Sequence, residues 1–364
     1  MSKNNIFEVN QDIRKAETLP SSFYKDSKVF EEIKEKIFLR SWQFVGGEHL
    51  IEKARSVYPF VLLDNYLTEP MLLTRDEDGA VHCLSNVCTH RANLVVLEAG
   101  TAKKLNCMYH GRRFDLKGNF EYMPEFQEAE NFPGACDHLY KFPTRQWGPL
   151  LFAGLNPSFD FQTVIDKMME RVGFLSIDDF FYDESLSKEY TVNAHWALYC
   201  DNYLEGFHVP FVHEALNKVL DYGSYTTEIY DHCNLQIGYS ERTAETFDLP
   251  RDHMDFGKNV AAYYYWVFPN MMFNFYPWGL SLNIVQPIDI SHTRVSFISY
   301  VKDASKLGKG AGNELDKVER EDEFVVENVQ KGIHSSFYKA GRFSPKMEKG
   351  VHHFHSLLSK FMTA

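Results

Sequence analysis

Cysteine and histidine occur together twice in one short stretch, as Cys88-Thr89-His90 and, sixteen residues further on, Cys107-Met108-Tyr109-His110. Two thiolates and two imidazoles are a complete donor set for a metal centre. They close a structural tetrahedral zinc site, or they hold a [2Fe–2S] centre with both thiolates on one iron and both imidazoles on the other. Zinc fingers usually pair Cys with Cys and His with His. Here each cluster brings one of each, so each loop can serve both irons of a dinuclear centre. Such a centre is a one-electron relay, and its imidazoles raise its potential to about −150 to +300 mV, against about −400 mV for an all-cysteine plant-type cluster.

A second constellation, Glu205-x-x-His208-x-x-x-x-His213, offers oxygen and nitrogen donors and no sulfur. On an ideal helix three residues advance about 300° and five about 500°, so Glu205 and His208 share a face while His213 lies about 140° from His208. No straight helix makes this site. Pro210 lacks an amide donor and disfavours helical geometry at Val209, which predicts a turn there that returns His213 to the same ion. Two histidines and a carboxylate are the facial set of non-haem iron(II) oxygenases, with positions left open for dioxygen and a co-ligand. Taken singly, each histidine reads better as an ordinary core or surface residue; the upstream cluster reverses that reading.

Around the first ligands the chain reads CTHRANLVVLEAGTAKKLNCMYHGRRFDLKGNF, which resembles the two ligand loops of a Rieske domain. Cys-x-His-Arg and Cys-x-x-His-Gly are both present, with Met108 and Arg112 where that family commonly has proline and tryptophan. Gly111 and Gly118 suit the tight turns. The second segment, DNYLEGFHVPFVH, resembles the large subunits of Rieske non-haem iron oxygenases through Asn202-x-x-Glu205-x-x-His208-x-x-x-x-His213, and the resemblance spans nearly the whole chain. It implies a [2Fe–2S] Rieske cluster on Cys88, His90, Cys107 and His110, and a mononuclear Fe(II) on His208 and His213. It further implies that Glu205 links this iron to a Rieske ligand of a neighbouring subunit and that Asn202 lies close to the iron. The third iron ligand is expected from Glu321-Asp322-Glu323, which resembles the family's late acidic stretch. Asp322 is the expected residue, with Glu321 and Glu323 as alternatives.

The fold implied is α+β: an N-terminal Rieske β domain and a C-terminal helix-grip catalytic domain with an antiparallel sheet. The function implied is a terminal oxygenase component. Most ring-hydroxylating members carry aspartate at the position of Glu205, so this chain resembles the branch that oxidises carnitine, choline and betaines. An aromatic-ring-hydroxylating dioxygenase, a Rieske electron-transfer protein and a helix-grip binding module are the competing readings. A head-to-tail homotrimer is the implied assembly, since a heterologous interface that closes makes a ring.

The elements that must position these residues are legible in outline. The length of 364 residues favours more than one domain, and the patterns suggest a helical segment over 1–45, a Rieske domain over 46–155 and a catalytic domain over 156–364. Asp26 or Ser27 caps a helix over 26–40, with Val29, Phe30, Ile33 and Ile37 at helical spacing. It should pack on the catalytic domain. Short β runs follow from Ser56, with turns at Asp78-Gly79 and Lys117-Gly118. Residues 162–172 read as helix, 190–192, 261–268, 271–276, 280–285 and 294–301 as strands, and 313–333 as the acidic helix that delivers Asp322. The aromatic run from Tyr263 to Trp278 fits a cation-binding pocket, although in strands only alternate residues face one side.

A net charge of −12 and a pI near 5.7 argue against nucleic acid as a partner, and no basic run suggests a membrane surface. Neither a signal peptide nor a spanning apolar run stands out, so a cytoplasmic protein is expected. Cys83, Cys136, Cys200 and Cys233 have no disulfide-framework spacing and read as reduced thiols. Gly308-Lys-Gly-Ala-Gly312 lacks the spacing of a phosphate loop and reads as a linker. Without a nicotinamide or flavin fingerprint, electrons for O₂ and a small-molecule substrate must come from a separate NAD(P)H-dependent reductase. His352, His353 and His355 are expected on a solvated face of a C-terminal helix.

Overall fold

The computed structural model describes residues 7–217, 221–240, 246–313 and 315–363. The chain forms two compact units, Trp42–Ser158 and a second made of Met1–Ser41 with Phe159–Ala364.

The smaller unit holds three antiparallel sheets. In one, Glu69–Arg75 lies between Ser56–Leu62 and Val81–Ser85, and Gly100–Thr101 pairs on the outer side of Ser56–Leu62. Leu150–Gly154 is central in the next, between Trp42–Gly47 and Thr144–Trp147. The third, Leu105–Asn106, Arg113–Phe114 and Phe120–Tyr122, is barely longer than its turns. Alternate residues of the first and third sheets (Val57, Leu72, Leu84, Leu105, Phe114) meet in one core cluster that also contains Cys88 and Cys107. The thiols are thus anchored in the packed interior of the unit.

The larger unit is built on a seven-stranded antiparallel sheet in the order Phe181–Val192, His292–Val301, Gly279–Asp289, Met271–Tyr276, Val260–Val267, Cys233–Tyr239, Thr226–Ile229. Its central strands are buried along nearly their whole length. Helix Trp196–Tyr203 packs against helix Leu315–Ile333 and strand Gly279–Asp289. Asp160 caps the helix Phe161–Val172, accepting from the Gln162 amide at 3.0 Å.

Several expectations change in detail. The segment 26–40 is a helix Ser27–Ile33 that continues as a π-helical turn, Lys34–Phe38; Asp26 is its cap, accepting from the Lys28 amide at 2.9 Å. The strand expected at 190–192 begins at Phe181. Its first part, rich in Asp, Glu, Ser and Lys, is an edge strand, where charge blunts further pairing. His355 is not solvated. It is 1% exposed, its Nε2 lies 2.8 Å from Asp201 Oδ1, and its Nδ1 accepts from the Leu19 amide at 3.1 Å. That imidazole joins the C-terminal helix Lys349–Thr363 to the N-terminal segment and to the helix leading into the second metal-ligand candidate segment. All six cysteines are free. Among the described residues no helix is long and apolar enough to cross a membrane.

Candidate metal centres

The two Cys/His loops share one backbone design. The Cys88 amide donates to Asn93 O and the Ala92 amide to Cys88 O; the Cys107 amide donates to Arg112 O and the Gly111 amide to Cys107 O. Each loop turns through one left-handed residue, Ala92 at φ 54° and Gly111 at φ 74°. This is a conformation that glycine adopts without cost and other residues adopt under local constraint. The loops bring the two buried thiols within hydrogen-bonding reach of each other and set the His90 and His110 rings 4.7 Å apart at 71°. Burial raises the pKa of the Cys88 thiol. For Cys107 burial is outweighed by the Tyr109 amide, Cys88, Asn93 and the His110 amide, which hold the thiol below its ordinary value. Asn93 Nδ2 lies 3.6 Å from Cys107 Sγ. Donors aimed at sulfur are the environment that stabilises a thiolate ligand and tunes a cluster's potential.

Arg112 fills an aromatic cage. It is 2% exposed, its guanidinium lies 5.0 Å from the Phe120 ring centroid and 5.5 Å from that of Phe132, and it pairs with Asp137. Its charge also reaches Cys88 and His90.

The second constellation is assembled by a helix that stops early. Trp196–Tyr203 ends before Glu205, and a new short helix, Val209–Val212, starts after His208. The break therefore lies at 204–208 and not at Pro210, which sits in the first turn of the new helix where a missing amide costs nothing. Gly206 lies in this break and leaves room for the Tyr225 ring, which a Cβ there would approach to 2.9 Å. Asp322, from the middle of Leu315–Ile333, completes the set. Donor atoms of His208, His213 and Asp322 all lie within 4.8 Å of one another. Asp322 Oδ1 is 3.0 Å from His213 Nε2 and 3.4 Å from His208 Nε2, and it accepts from Asn202 Nδ2 at 2.6 Å.

The outer nitrogens are held in the same way on both rings. His208 Nδ1 lies 2.6 Å from Glu205 Oε1 and His213 Nδ1 lies 2.7 Å from Glu321 Oε2. A carboxylate on Nδ1 fixes the ring and turns Nε2 inward, the usual support of a metal-binding imidazole. Glu205 also accepts from the amides of Phe207 and His208. Burial would lower the pKa of His208, but Asp322 and Glu205 outweigh it and raise it to about 10. Burial likewise opposes ionisation of Asp322, yet the two imidazoles bring it down to about 2. Such a cluster binds protons where a divalent ion can replace them, and its donor set suits Fe(II). Of the three adjacent carboxylates left open by the sequence, Asp322 faces both Nε2 atoms and Glu321 takes the supporting position.

A small cavity of about 110 Å³ opens beside this set. Tyr264 and Tyr276 from the aromatic strands line it, as do Tyr203, Tyr225 and Glu319, which sequence reasoning missed. Tyr263 and Tyr265 are fully buried and do not line it, as the alternation of strand side chains requires, and Trp266, on the same face as Tyr264, packs instead against Phe354. The Gly308–Gly312 stretch is no free linker: its Gly310–Gly312 turn brings Ala311 into the cavity wall.

A Rieske-type cluster site and a separate two-histidine, one-carboxylate site define an iron oxygenase. Residues 46–133 match the Rieske [2Fe-2S] domain, and residues 181–364 match the ring hydroxylating alpha subunit (catalytic domain). The chain belongs to this family of Rieske non-haem iron oxygenases; it is an enzyme whose cofactors are a [2Fe–2S] cluster and a mononuclear iron. It is 31% identical to the chloroplastic choline monooxygenase of Arabidopsis thaliana, over 95% of this chain and 83% of that protein. It is 26% identical to the carnitine monooxygenase oxygenase subunit of Escherichia coli (strain K12), over 95% of this chain and 94% of the other. The fold matches the quaternary ammonium Rieske monooxygenase CntA in complex with L-carnitine (TM-score 0.74, 22% identity, 97% of each chain). It also matches naphthalene 1,2-dioxygenase from Rhodococcus sp. (TM-score 0.69, 17% identity, 95% of this chain and 94% of that one).

Proposed function

We propose that this chain is the oxygenase component of a reductase-dependent system that hydroxylates a quaternary ammonium compound. The observation that carries the reading is the cavity beside His208, His213 and Asp322, lined by Tyr199, Tyr203, Tyr225, Tyr264 and Tyr276. A trimethylammonium group is a bulky cation that donates no hydrogen bond. Aromatic walls hold it at about 0.5 to 2 kcal/mol each, more when desolvated. Similarity to choline and carnitine monooxygenases supports the same substrate class.

In this reading Cys88, His90, Cys107 and His110 hold the cluster in a domain spanning about 46–155, and His208, His213 and Asp322 hold the mononuclear iron in the domain that follows. The cluster supplies single electrons and the mononuclear iron activates dioxygen. The chain's own residues do the positioning: Glu205 and Glu321 orient the iron-binding imidazoles, Asn202 holds Asp322, and the tyrosines hold the head-group. Hydroxylation consumes O₂, two electrons and two protons, and returns one water. On a carbon bonded to nitrogen it leaves a carbinolamine that splits into amine and aldehyde; on an alcohol carbon it leaves an aldehyde hydrate.

Electrons come from a separate reductase, consistent with the name "oxygenase subunit" of the carnitine enzyme. The working assembly is a homotrimer in which Glu205 would link the iron-binding His208 to a cluster-binding histidine of a neighbouring subunit. Exposed apolar side chains on both units suit such an interface: Met108 and Tyr109 in the second cluster loop, Phe207 and Phe211 beside His208. The CntA structure is described as informing inter-subunit electron transfer.

The test is oxygen uptake with NADH and a surrogate reductase, screening choline, carnitine and glycine betaine beside naphthalene and benzoate. Uptake matched by aldehyde or amine formation from an ammonium compound is the expected result. Stoichiometric oxidation of an arene, with every ammonium compound inert, would overturn the reading in favour of a ring-hydroxylating dioxygenase.

A further inference from the structure

Glu319 stands three residues before Asp322 on the helix Leu315–Ile333 and lines the same cavity. The side chain is 3% exposed. Its Oε2 accepts from the Tyr199 hydroxyl at 2.6 Å, whereas Oε1 has no hydrogen-bond partner among the described residues. Burial pushes its pKa well above the usual carboxylate range; the Tyr199 hydroxyl opposes this, and the charges of Asp322, Glu323 and Asp316 add to it. A structural role does not explain the residue, because one acceptor satisfies Tyr199 and an amide side chain would supply it. A buried carboxylate that faces a cavity without a counter-charge is unfavourable unless a cation arrives to pair with it.

The rest of the wall fits that occupant. Tyr203, Tyr225, Tyr264 and Tyr276 offer aromatic surface; the charged groups there other than Glu319 are Glu205, His208, His213 and Asp322 of the candidate iron site, and Asn202 and Gln236 are neutral. No lysine or arginine occurs among the described residues that line the cavity. An adjoining cavity shares Glu319, Ser281 and Phe297 with it; the one basic residue described there, Lys188, is paired with Asp316 at 2.9 Å. Away from the iron-binding groups, a carboxylate on the substrate would therefore meet Glu319 with no lysine or arginine on the described wall to receive it, and like charges placed together are a means of rejecting a ligand.

Resting on the quaternary-ammonium reading of this cavity, we propose that Glu319 is the counter-charge for the substrate's ammonium group. The cavity then selects a substrate whose only charge is that cation, a choline-type amino alcohol, over zwitterions such as carnitine or glycine betaine. Glu319 acts in binding and selectivity, apart from the groups that hold the iron.

Equilibrium binding separates this from the broader reading. Calorimetry on the anaerobic, iron-loaded protein would compare choline, its neutral isostere 3,3-dimethylbutan-1-ol and L-carnitine, on wild type, Glu319→Gln and Glu319→Asp. Wild type should bind choline about tenfold or more tighter than either of the others. Glu319→Gln should lose about tenfold to a hundredfold for choline, leave the neutral alcohol within about twofold, and narrow the gap between choline and carnitine. Iron content and thermal midpoint report that the variants are intact. Glu319→Asp withdraws the charge by one methylene and should give an intermediate loss for choline alone, a graded reading that does not depend on the glutamine variant folding. If Glu319→Gln keeps the full preference for choline over its isostere, or loses all three ligands equally, the counter-charge role is wrong while the ammonium reading stands. Carnitine binding tighter than choline to wild type would overturn the selection for a single positive charge. Equal binding of choline and the neutral alcohol to wild type would overturn both this proposal and the reading beneath it.

Discussion

Amide replacements of Glu321, Asp322 and Glu323, made one at a time, should send three adjacent carboxylates to three different outcomes. Asp322 Oδ1 is 3.0 and 3.4 Å from the two inward imidazole nitrogens, so Asp322→Asn withdraws the anionic donor from the ion itself. About one of the three irons expected per chain should be lost, with the cluster's labile sulfide retained. Glu321 Oε2 is 2.7 Å from His213 Nδ1. Mutating such an outer partner weakens metal binding by about 10- to 100-fold, or about 1.4 to 2.7 kcal/mol; Glu321→Gln keeps an oxygen acceptor but loses the charge, so it should hold iron at saturation and release it to a chelator at lower competing concentration. The charges acting on Glu323 are those of Arg320, Glu327 and Asp316, away from both imidazoles, and Glu323→Gln should stay within about 0.5 kcal/mol of wild type. Chelator competition on protein whose mononuclear site has been reloaded with Fe(II), read by iron and sulfide analysis, measures all three. The reasoning fails if Glu323→Gln loses the iron or if Asp322→Asn keeps it with unchanged affinity.

Glu205→Gln keeps an oxygen acceptor for His208 Nδ1 while removing the charge, so it should retain iron and a reducible cluster but lose turnover. Co-assembled with Cys107→Ser subunits, which lack the cluster, it should regain part of the activity; mixed rings that stay inactive would indicate transfer within one chain. Near the cluster, Arg112→Met should lower the potential by about tens of millivolts, because it removes a buried positive charge and leaves Asp137 unpaired, whereas Asp137→Asn should raise it. A redox titration followed by electron paramagnetic resonance reads both, and shifts of the same sign would contradict the argument. Arg171 is buried between Asp255 at 2.5 Å and Glu228 at 2.7 Å. Burial raises the pKa of Asp255, but Lys258, Arg171 and Tyr263 outweigh it and hold the carboxyl below its ordinary 3.8. A depressed folded-state pKa means that this stabilisation is present above about pH 4 and is lost as pH falls through the folded value. Asp255→Asn should cost about 3 to 5 kcal/mol at neutral pH and flatten the acid limb of the stability curve; denaturant unfolding from pH 7 to 3 that shows no change would refute it.

The candidate ligands were legible where chemistry is compact in sequence: two Cys/His loops, and two histidines within one short segment. The late carboxylate was legible only as a run, since spacing alone does not say which member of Glu321-Asp322-Glu323 faces the imidazoles. Glu319 was hidden because it reads as one more charge on an acidic helix. Its signal was positional: buried Glu319, Val326, Gln330 and Ile333 recur at helical spacing, so a carboxylate occupies the stripe that should be apolar. Pro210 marks a break in the local pattern, yet the helix stops earlier, at 204–208, where Gly206 closely approaches Tyr225, a contact that no local pattern reveals. His355 was misread as solvated for a similar reason. Its partners, Asp201 and Leu19, are remote in sequence and meet it only in the fold. In the sheet, the strands with strong apolar patterns were found, whereas the buried strand Cys233–Tyr239, interrupted by Asn234 and Gln236, was missed, as were the charged edge Phe181–Glu189 and the strand Thr226–Ile229, which carry little periodic signal.

A single turnover tests the central claim most directly. Protein reduced chemically without oxygen, freed of reductant and mixed with choline and O₂, should reoxidise its cluster faster than without choline and release close to one oxidised product, an aldehyde hydrate or an amine with an aldehyde, per mononuclear iron. Reoxidation that choline and other ammonium compounds leave unchanged, with peroxide as the only product, while naphthalene gives a diol in stoichiometric yield, would contradict it.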